Sequence, residues 1–268
     1  MSKYRLAIMG SGSLGTIIAK AIATELSDEY ELLGILSGRL ENAVRLADKV
    51  GCKAYRDIDD MLLDKPDYVI EAASPDVIRD MGAKILENRT NLIVLSVGAF
   101  ADDEFYTRME RAARENDCRI HMASGAVGGF DVLRSAMLME DSTVSIVTEK
   151  SPNSLKGAPA LEGRELSHDM EEEIFNGSAR EAIKLFPRNV NVAVATALAT
   201  VGVDDTNTII RSIPDMQSNK HNIRLKGDTI RISIEIDSKP TPDNPGSSTL
   251  AAWSVISLLK NMVSPITF

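Results

Sequence analysis

The chain has 268 residues, a formal net charge of −9, 44% hydrophobic residues, 26% charged residues and 4% aromatics. An acidic balance excludes broad phosphate-backbone binding, which needs a Lys/Arg-rich face, and scarce aromatics exclude stacked-base recognition, so no nucleic acid partner is expected. No apolar run approaches the ~20 residues of a membrane helix, no leader pattern precedes the first apolar run, and Cys52 and Cys118 are too few for a disulfide scaffold or a zinc cluster; a cytoplasmic protein with no membrane partner and no metal is expected.

In chain order, RLAIM (Arg5–Met9) reads as a short apolar strand. Leu14, Ile17, Ile18, Ala21 and Ile22 have helical spacing. ELLGIL predicts a second strand and ENAVRLADKV a second helix. A short CKAYR strand, a DIDDMLL helix, the strand DYVIEA, a helix after Pro75, the strand NLIVLSV and a helix over Asp102–Asn116 follow. Such alternation predicts parallel strands covered on both faces in a doubly wound sheet.

The pattern changes after RIHM (Arg119–Met122). A Gly-rich stretch, SGAVGGFD, precedes a helix near Val132–Met139. Four β-like runs follow: VSIVTEK, TNTIIRSI, HNIRLK and TIRISIEID. Without regular crossover helices they predict a mostly antiparallel sheet. Between them lie a polar loop (Ser151–Glu173) and helical pieces around Ala179–Leu185 and Val190–Val201. A Pro/Gly-rich turn then leads to a last helix, roughly Thr249 to Met262. The fold class is α/β, an N-terminal doubly wound unit over 1–122 and a C-terminal α+β unit over 123–245. The closing segment 246–268 is expected to pack back on the first unit.

IMGSGSLG places Gly10, Gly12 and Gly15 in G-x-G-x-x-G spacing between the first strand and an amphipathic helix. That context predicts a Rossmann dinucleotide-binding domain. Gly10 permits the tight turn, Gly12 lets a pyrophosphate approach, and Gly15 brings helix and strand together. The backbone N–H groups at Ser13, Leu14 and Gly15 would face the phosphates. Where an acidic residue would hold an NAD ribose, Ser37 and Arg39 stand instead. A guanidinium can pair with a 2′-phosphate, so NADP is expected to be accepted alongside NAD. Ala72, Ala73, Ser96 and Gly98 sit at carboxyl ends of later strands. They are small enough for a cofactor to pass, although tight packing also demands small residues.

Three segments of the second half carry a resemblance: ASGAVGGFD (Ala123–Asp131), FPRNVNVAVATALA (Phe186–Ala199), and NKHNIRLKG with the later DNPGSSTLAAWSVISLL. With the glycine loop, they resemble the L-aspartate dehydrogenase family over nearly the whole chain. The resemblance implies NAD(P)-dependent oxidation of L-aspartate to iminoaspartate, which hydrolyses to oxaloacetate and ammonia. In some members it supplies pyridine nucleotide biosynthesis. It implies a small dicarboxylate substrate and a homodimer built on the C-terminal sheet. It matches the family's catalytic histidine to His221, its nicotinamide-contacting asparagine to Asn191 and its small cofactor-contacting residue to Ala126. Asn222 stands where the family usually has an acidic residue, and Asn244-Pro245-Gly246-Ser247-Ser248 departs from its usual turn.

The chemistry asks for a base to neutralise the amine, grips for two carboxylates and an activated water. Histidine suits the proton steps. His221 alternates with Ile223 and Leu225 and so shares their covered face, while Arg224 and Lys226 point the other way. Taken alone, it reads as a partly buried histidine capping an apolar face. His121 reads as structural and His168 as solvent-exposed. Ser124, Gly125 and Gly128, and Ser247, Ser248 and Thr249 at the start of the last helix, are candidate carboxylate-binding groups; the serines and threonine would also serve as caps. Asn189 is expected to cap the helix that Asn191 enters. Arg188 and Lys220 are the cations nearest in sequence to the matched residues, and neither is preferred. Alternatives are a related two-domain reductase acting on another small carboxylate and a non-catalytic NADP(H) sensor.

Overall fold

Short apolar runs build the first sheet. In the computed structural model, which describes residues 3–241 and 244–267 (only the backbone at 241 and 244–247), they are Tyr4–Met9 (β1), Tyr30–Leu36 (β2), Lys53–Tyr55 (β3), Tyr68–Glu71 (β4), Asn91–Val94 (β5) and Ile120–Met122 (β6). All pair in parallel, in the order β3-β2-β1-β4-β5-β6. The order reverses between β1 and β4, where the carboxyl ends diverge and leave a crevice. The connecting helices are Ser13–Thr24 (α1), Leu40–Val50 (α2), Ile58–Leu63 (α3), Pro75–Glu87 (α4) and Asp103–Glu115 (α5). Side chains of Asp57, Ser74 and Asp102 cap α3, α4 and α5, with Pro75 opening α4.

The chain divides into two compact units, 1–123 with 251–268, and 124–250. The last helix, Leu250–Val263 (α10; α6–α9 lie in the second unit), completes the first unit's core. Its Val255, Ile256 and Leu259 pack with Leu6, Ile8, Ile18, Ile22, Ile35 and Ile93. The Tyr30 hydroxyl donates to the Leu259 carbonyl at 2.8 Å in the buried interior.

In the second unit, Phe130–Met139 (α6) leads into Thr143–Lys150 (β7), followed by a short helix, Pro152–Leu155 (α7). Then come Glu172–Ser178 (β8), Ala179–Leu185 (α8), Asn191–Leu198 (α9), Thr206–Ser212 (β9), Asn219–Lys226 (β10) and Arg231–Ser238 (β11). The sheet order is β11-β10-β7-β9-β8, with β7 and β9 parallel and the other neighbours antiparallel. Alternation is clean: Val144, Ile146, Thr148 and Lys150 of β7 and Asn219, His221, Ile223 and Leu225 of β10 all face the covered side.

Two local expectations are corrected. The segment Ser151–Glu173, expected to be a polar loop, contains α7 and the beginning of β8. EEIFNGS has only Ile174 and Phe175 as apolar residues, because an edge strand leaves one row of its backbone unpaired and needs little apolar side chain. Ser247 and Ser248 do not open the last helix. They belong to a short strand, Asn244–Ser248 (β13), paired with Pro240–Thr241 (β12), and helix α10 starts after Thr249.

Candidate functional site

In the first unit, one candidate cluster is the loop between β1 and α1. Gly10 has φ +116°, and a Cβ there would run into the Ala72 carbonyl. A Cβ on Gly15 would run into the Gly10 carbonyl, so Gly15 closes the loop on itself as well as bringing α1 near Ile8. Both glycines are therefore required by the chain's own packing. Gly12 is different: it caps α1 and has nothing within 4 Å of where a Cβ would stand. The protein gives no internal reason for glycine there, whereas an approaching phosphate does. The α1 N-terminus has no side-chain cap and no acidic residue in its first turn, so its N–H groups and dipole remain available for an anion. This cradle fits a dinucleotide.

Ser37, just past β2, shares a hydrogen bond with Ser11 of the loop, Oγ to Oγ at 2.7 Å. Arg39 is exposed at the N-cap of α2 and makes no capping bond with its side chain. Arg39 thus follows the carboxyl end of β2, the region where the adenine ribose lies in such folds. Across the crevice, Glu71 ends β4 completely buried. Its carboxylate accepts from the Ala73 N–H (2.8 Å), the Ser96 N–H (2.9 Å) and the Ser96 hydroxyl (2.7 Å). Burial pushes its pKa up, and these donors pull against that shift. Glu71 thereby ties the β4 loop, with Ala72 and Ala73, to the β5 loop, with Ser96 and Gly98. The Ser96 side chain is engaged by Glu71, and Gly98 is buried in a 3-10 turn, Val97–Ala101. An acid ending an otherwise apolar strand was the sequence signal for Glu71.

In the second unit, a separate cluster lies at one end of the covered face of the five-stranded sheet. His221 is 2% exposed. Antiparallel register sets it opposite Thr148, whose Oγ1 lies 3.0 Å from the imidazole Nδ1. Burial, with the nearby Lys150 charge adding to it, lowers the His221 pKa from 6.5 to about 3, so the ring is neutral. Lys150 is itself buried, and desolvation lowers its pKa to about 8, which still leaves it an ammonium at neutral pH. Neither Lys150 nor Thr148 stood out in the sequence. The alternation Val144, Ile146, Thr148, Lys150 was the signal available, since it carries a lysine onto the covered side.

Apart from His121, the remaining expected residues fall in the second unit. Ser124 and Gly125 form a half-buried turn with Gly125 at φ +69°, and Ala126 is buried beside them. They precede α6, whose N-cap is Gly129 and whose first turn already holds Asp131, a poor setting for a carboxylate ligand. Asn191 is the first residue of α9. Asn189 does not cap that helix; its amide donates to the Ser154 carbonyl at 2.9 Å. Ser248 is buried and accepts from the Leu250 N–H at 3.1 Å, and Thr249 is half-buried, while the Ser247 side chain lies outside the described residues. Arg188 and His168 are exposed, and His121 is half-buried with its ring centroid 6.1 Å from that of Tyr68. Among the described residues no cluster of His, Cys, Asp and Glu could hold a metal ion, and no helix is long and apolar enough to cross a membrane.

Residues 10–123 match the family model described as homoserine dehydrogenase, NAD binding domain, and residues 131–262 match aspartate dehydrogenase, C-terminal. The chain is 36% identical over 267 residues to the L-aspartate dehydrogenase of Methanosarcina barkeri, covering 98% of each chain. It is 32% identical over 263 residues to that of Methanococcus maripaludis strain C7, again covering 98% of each. Among solved structures, the aspartate dehydrogenase of Thermotoga maritima matches over 100% of both chains with a TM-score of 0.75 and 27% identity. With its glycine cradle, its buried histidine and this end-to-end similarity, the chain belongs to the L-aspartate dehydrogenase family.

Proposed function

We propose that this protein oxidises L-aspartate at its α-carbon, with NAD or NADP as acceptor, to iminoaspartate, which water converts to oxaloacetate and ammonia. When bound, the nicotinamide accepts the hydride from that carbon. The first unit would hold the dinucleotide through Gly10, Gly12, Ser13, Leu14 and Gly15, with Ala72, Ala73, Ser96 and Gly98 along the crevice. The second unit would supply substrate contacts and the face on which two copies pair. Ala126 and Asn191 are proposed at the nicotinamide end. Ser37 and Arg39 favour acceptance of the NADP 2′-phosphate.

The observation that carries the reading is the buried, neutral His221 held by Thr148. If Nδ1–H donates to Thr148 Oγ1, the Nε2 lone pair is free to take the proton from the substrate ammonium. The same nitrogen can then pass a proton between water and the imine as the carbinolamine forms and breaks. A dicarboxylate brought near the ring raises its proton affinity, countering the burial that depresses it. The two free cysteines suit a reducing cytoplasm, which we propose as the location.

The test is aspartate-dependent formation of NADPH or NADH by the purified protein. His221→Ala should lower kcat by roughly 1,000-fold while leaving cofactor affinity near wild type. Unchanged turnover in the variant would remove His221 from the mechanism.

A further inference from the structure

Across the sheet, the row beyond His221 is polar where a covered face is normally apolar. Register places Lys150 of β7 beside Ser212 of β9, and Asn219 of β10 beside Ser238 of β11. Lys150, Ser212 and Asn219 are 3%, 0% and 1% exposed. The Ser212 and Ser238 hydroxyls are buried and have no hydrogen-bond partner among the described residues. Buried hydroxyls without partners cost stability and mark places where another polar group belongs. One row along, His221 and Thr148 form the next pair, so Lys150 is the diagonal neighbour of His221 on the same face.

We propose that Lys150, with the Ser212 hydroxyl beside it, is the receptor for a carboxylate of the dicarboxylate substrate. The assignment rests on the reading of His221 given above. A cation and a hydroxyl donor side by side meet the two oxygens of a carboxylate. Removal from water makes the pairing strong and leaves little tolerance for a neutral substitute. The other cations considered are placed elsewhere. Lys220 lies on the opposite face, with its Nζ 3.2 Å from Glu235, and Arg188 is exposed. Charge at Lys150 also disfavours protonation of His221, so a carboxylate that neutralises it leaves the imidazole a better base at the moment substrate is present.

The experiment compares Lys150→Met and Lys150→Arg in the full-length protein, with succinate as a non-reacting dicarboxylate, butyrate as its monocarboxylate control, and L-aspartate as substrate. Lys150→Met should weaken succinate binding and raise the KM for aspartate by roughly 100-fold, with NADPH affinity unchanged. Lys150→Arg keeps the cation and should bind succinate within about 10-fold of wild type. Butyrate should bind the wild type far more weakly than succinate. Succinate binding unaltered in Lys150→Met would overturn the assignment. So would a kcat abolished in Lys150→Arg with succinate affinity intact, because that result makes Lys150 a proton carrier instead. Should Lys150→Met fail to fold, Ser212→Ala and Lys150→Arg carry the test: Ser212→Ala should weaken succinate about 10-fold, and no change there with Lys150→Arg binding no succinate would overturn it. A wild type that binds succinate through Lys150 but does not oxidise aspartate would refute the proposed reaction and leave the carboxylate receptor standing.

Discussion

The glycine loop and the polar end of the five-stranded sheet are built in opposite ways. The loop is made by neighbours in sequence: Gly10, Gly12 and Gly15 belong to one turn, and two of them are dictated by contacts within that turn and with Ala72. The sheet end is assembled from β7, β9, β10 and β11, and its members meet only through strand register. A local motif tolerates no change in spacing but survives rearrangement elsewhere. A register-built site can be erased by a slip of one residue, which would turn Lys150 and His221 outward.

The loop separates packing from binding most sharply, and there the largest effect is expected. Gly10→Ala should destabilise the protein by at least about 2 kcal/mol, because a positive φ and a backbone collision act together. Gly12→Ala should leave Tm within a degree or two of wild type yet weaken NADPH binding on the order of 10-fold, since only the ligand needs that space. Equal loss of Tm in the two variants, followed by thermal melts with and without cofactor, would dissolve the distinction between them.

For the sheet end, acid is the sharper probe. His221 has a folded pKa of about 3 against 6.5 in the open chain, so between those values the unfolded state binds a proton that the folded state refuses. Stability contributed by the neutral ring is full above pH 6.5 and is lost as the pH falls toward 3. His221→Asn should show a shallower decline of Tm from pH 7 to pH 4 than wild type; matching slopes would mean the ring is not buried in solution.

Arg39→Ala should reduce the preference for NADP over NAD by roughly 10-fold, read as the ratio of the two kcat/KM values. Lys220→Met provides the smallest effect. Lys220 is one position from His221, but its exposed pair with Glu235 is the kind that contributes little, so aspartate kinetics and Tm should remain near wild type. A large kinetic loss in Lys220→Met would place the working cation on the wrong face.

The same contrast explains what could be read from the sequence. The six strands and five helices of the first sheet layer follow from apolar runs and caps, and the G-x-G-x-x-G loop from its place between strand and helix. His221 on the covered face follows from its parity with Ile223 and Leu225. Lys150 was not evident, because a lysine at the end of VSIVTEK reads as a solvated strand terminus until β9 and β10 are known to flank it. Glu71 was hidden for the same reason: its partner Ser96 lies 25 residues away. Strand β8 carries little strand signal in its sequence because it pairs only with β9 and needs few apolar side chains. Serine is a common cap, so the Ser247 and Ser248 stretch reads as a helix start, whereas pairing with β12 claims that backbone for a strand.

Helix α10 lies far along the chain from β1 and α1, yet its Val255, Ile256 and Leu259 close the core around them. During synthesis the apolar surface of β1 and α1 therefore stays uncovered until the segment that carries Val255, Ile256 and Leu259 has left the ribosome. Segments far apart in sequence are thereby committed to one cooperative unit, so truncation before α10 would expose the apolar side of β1 and α1.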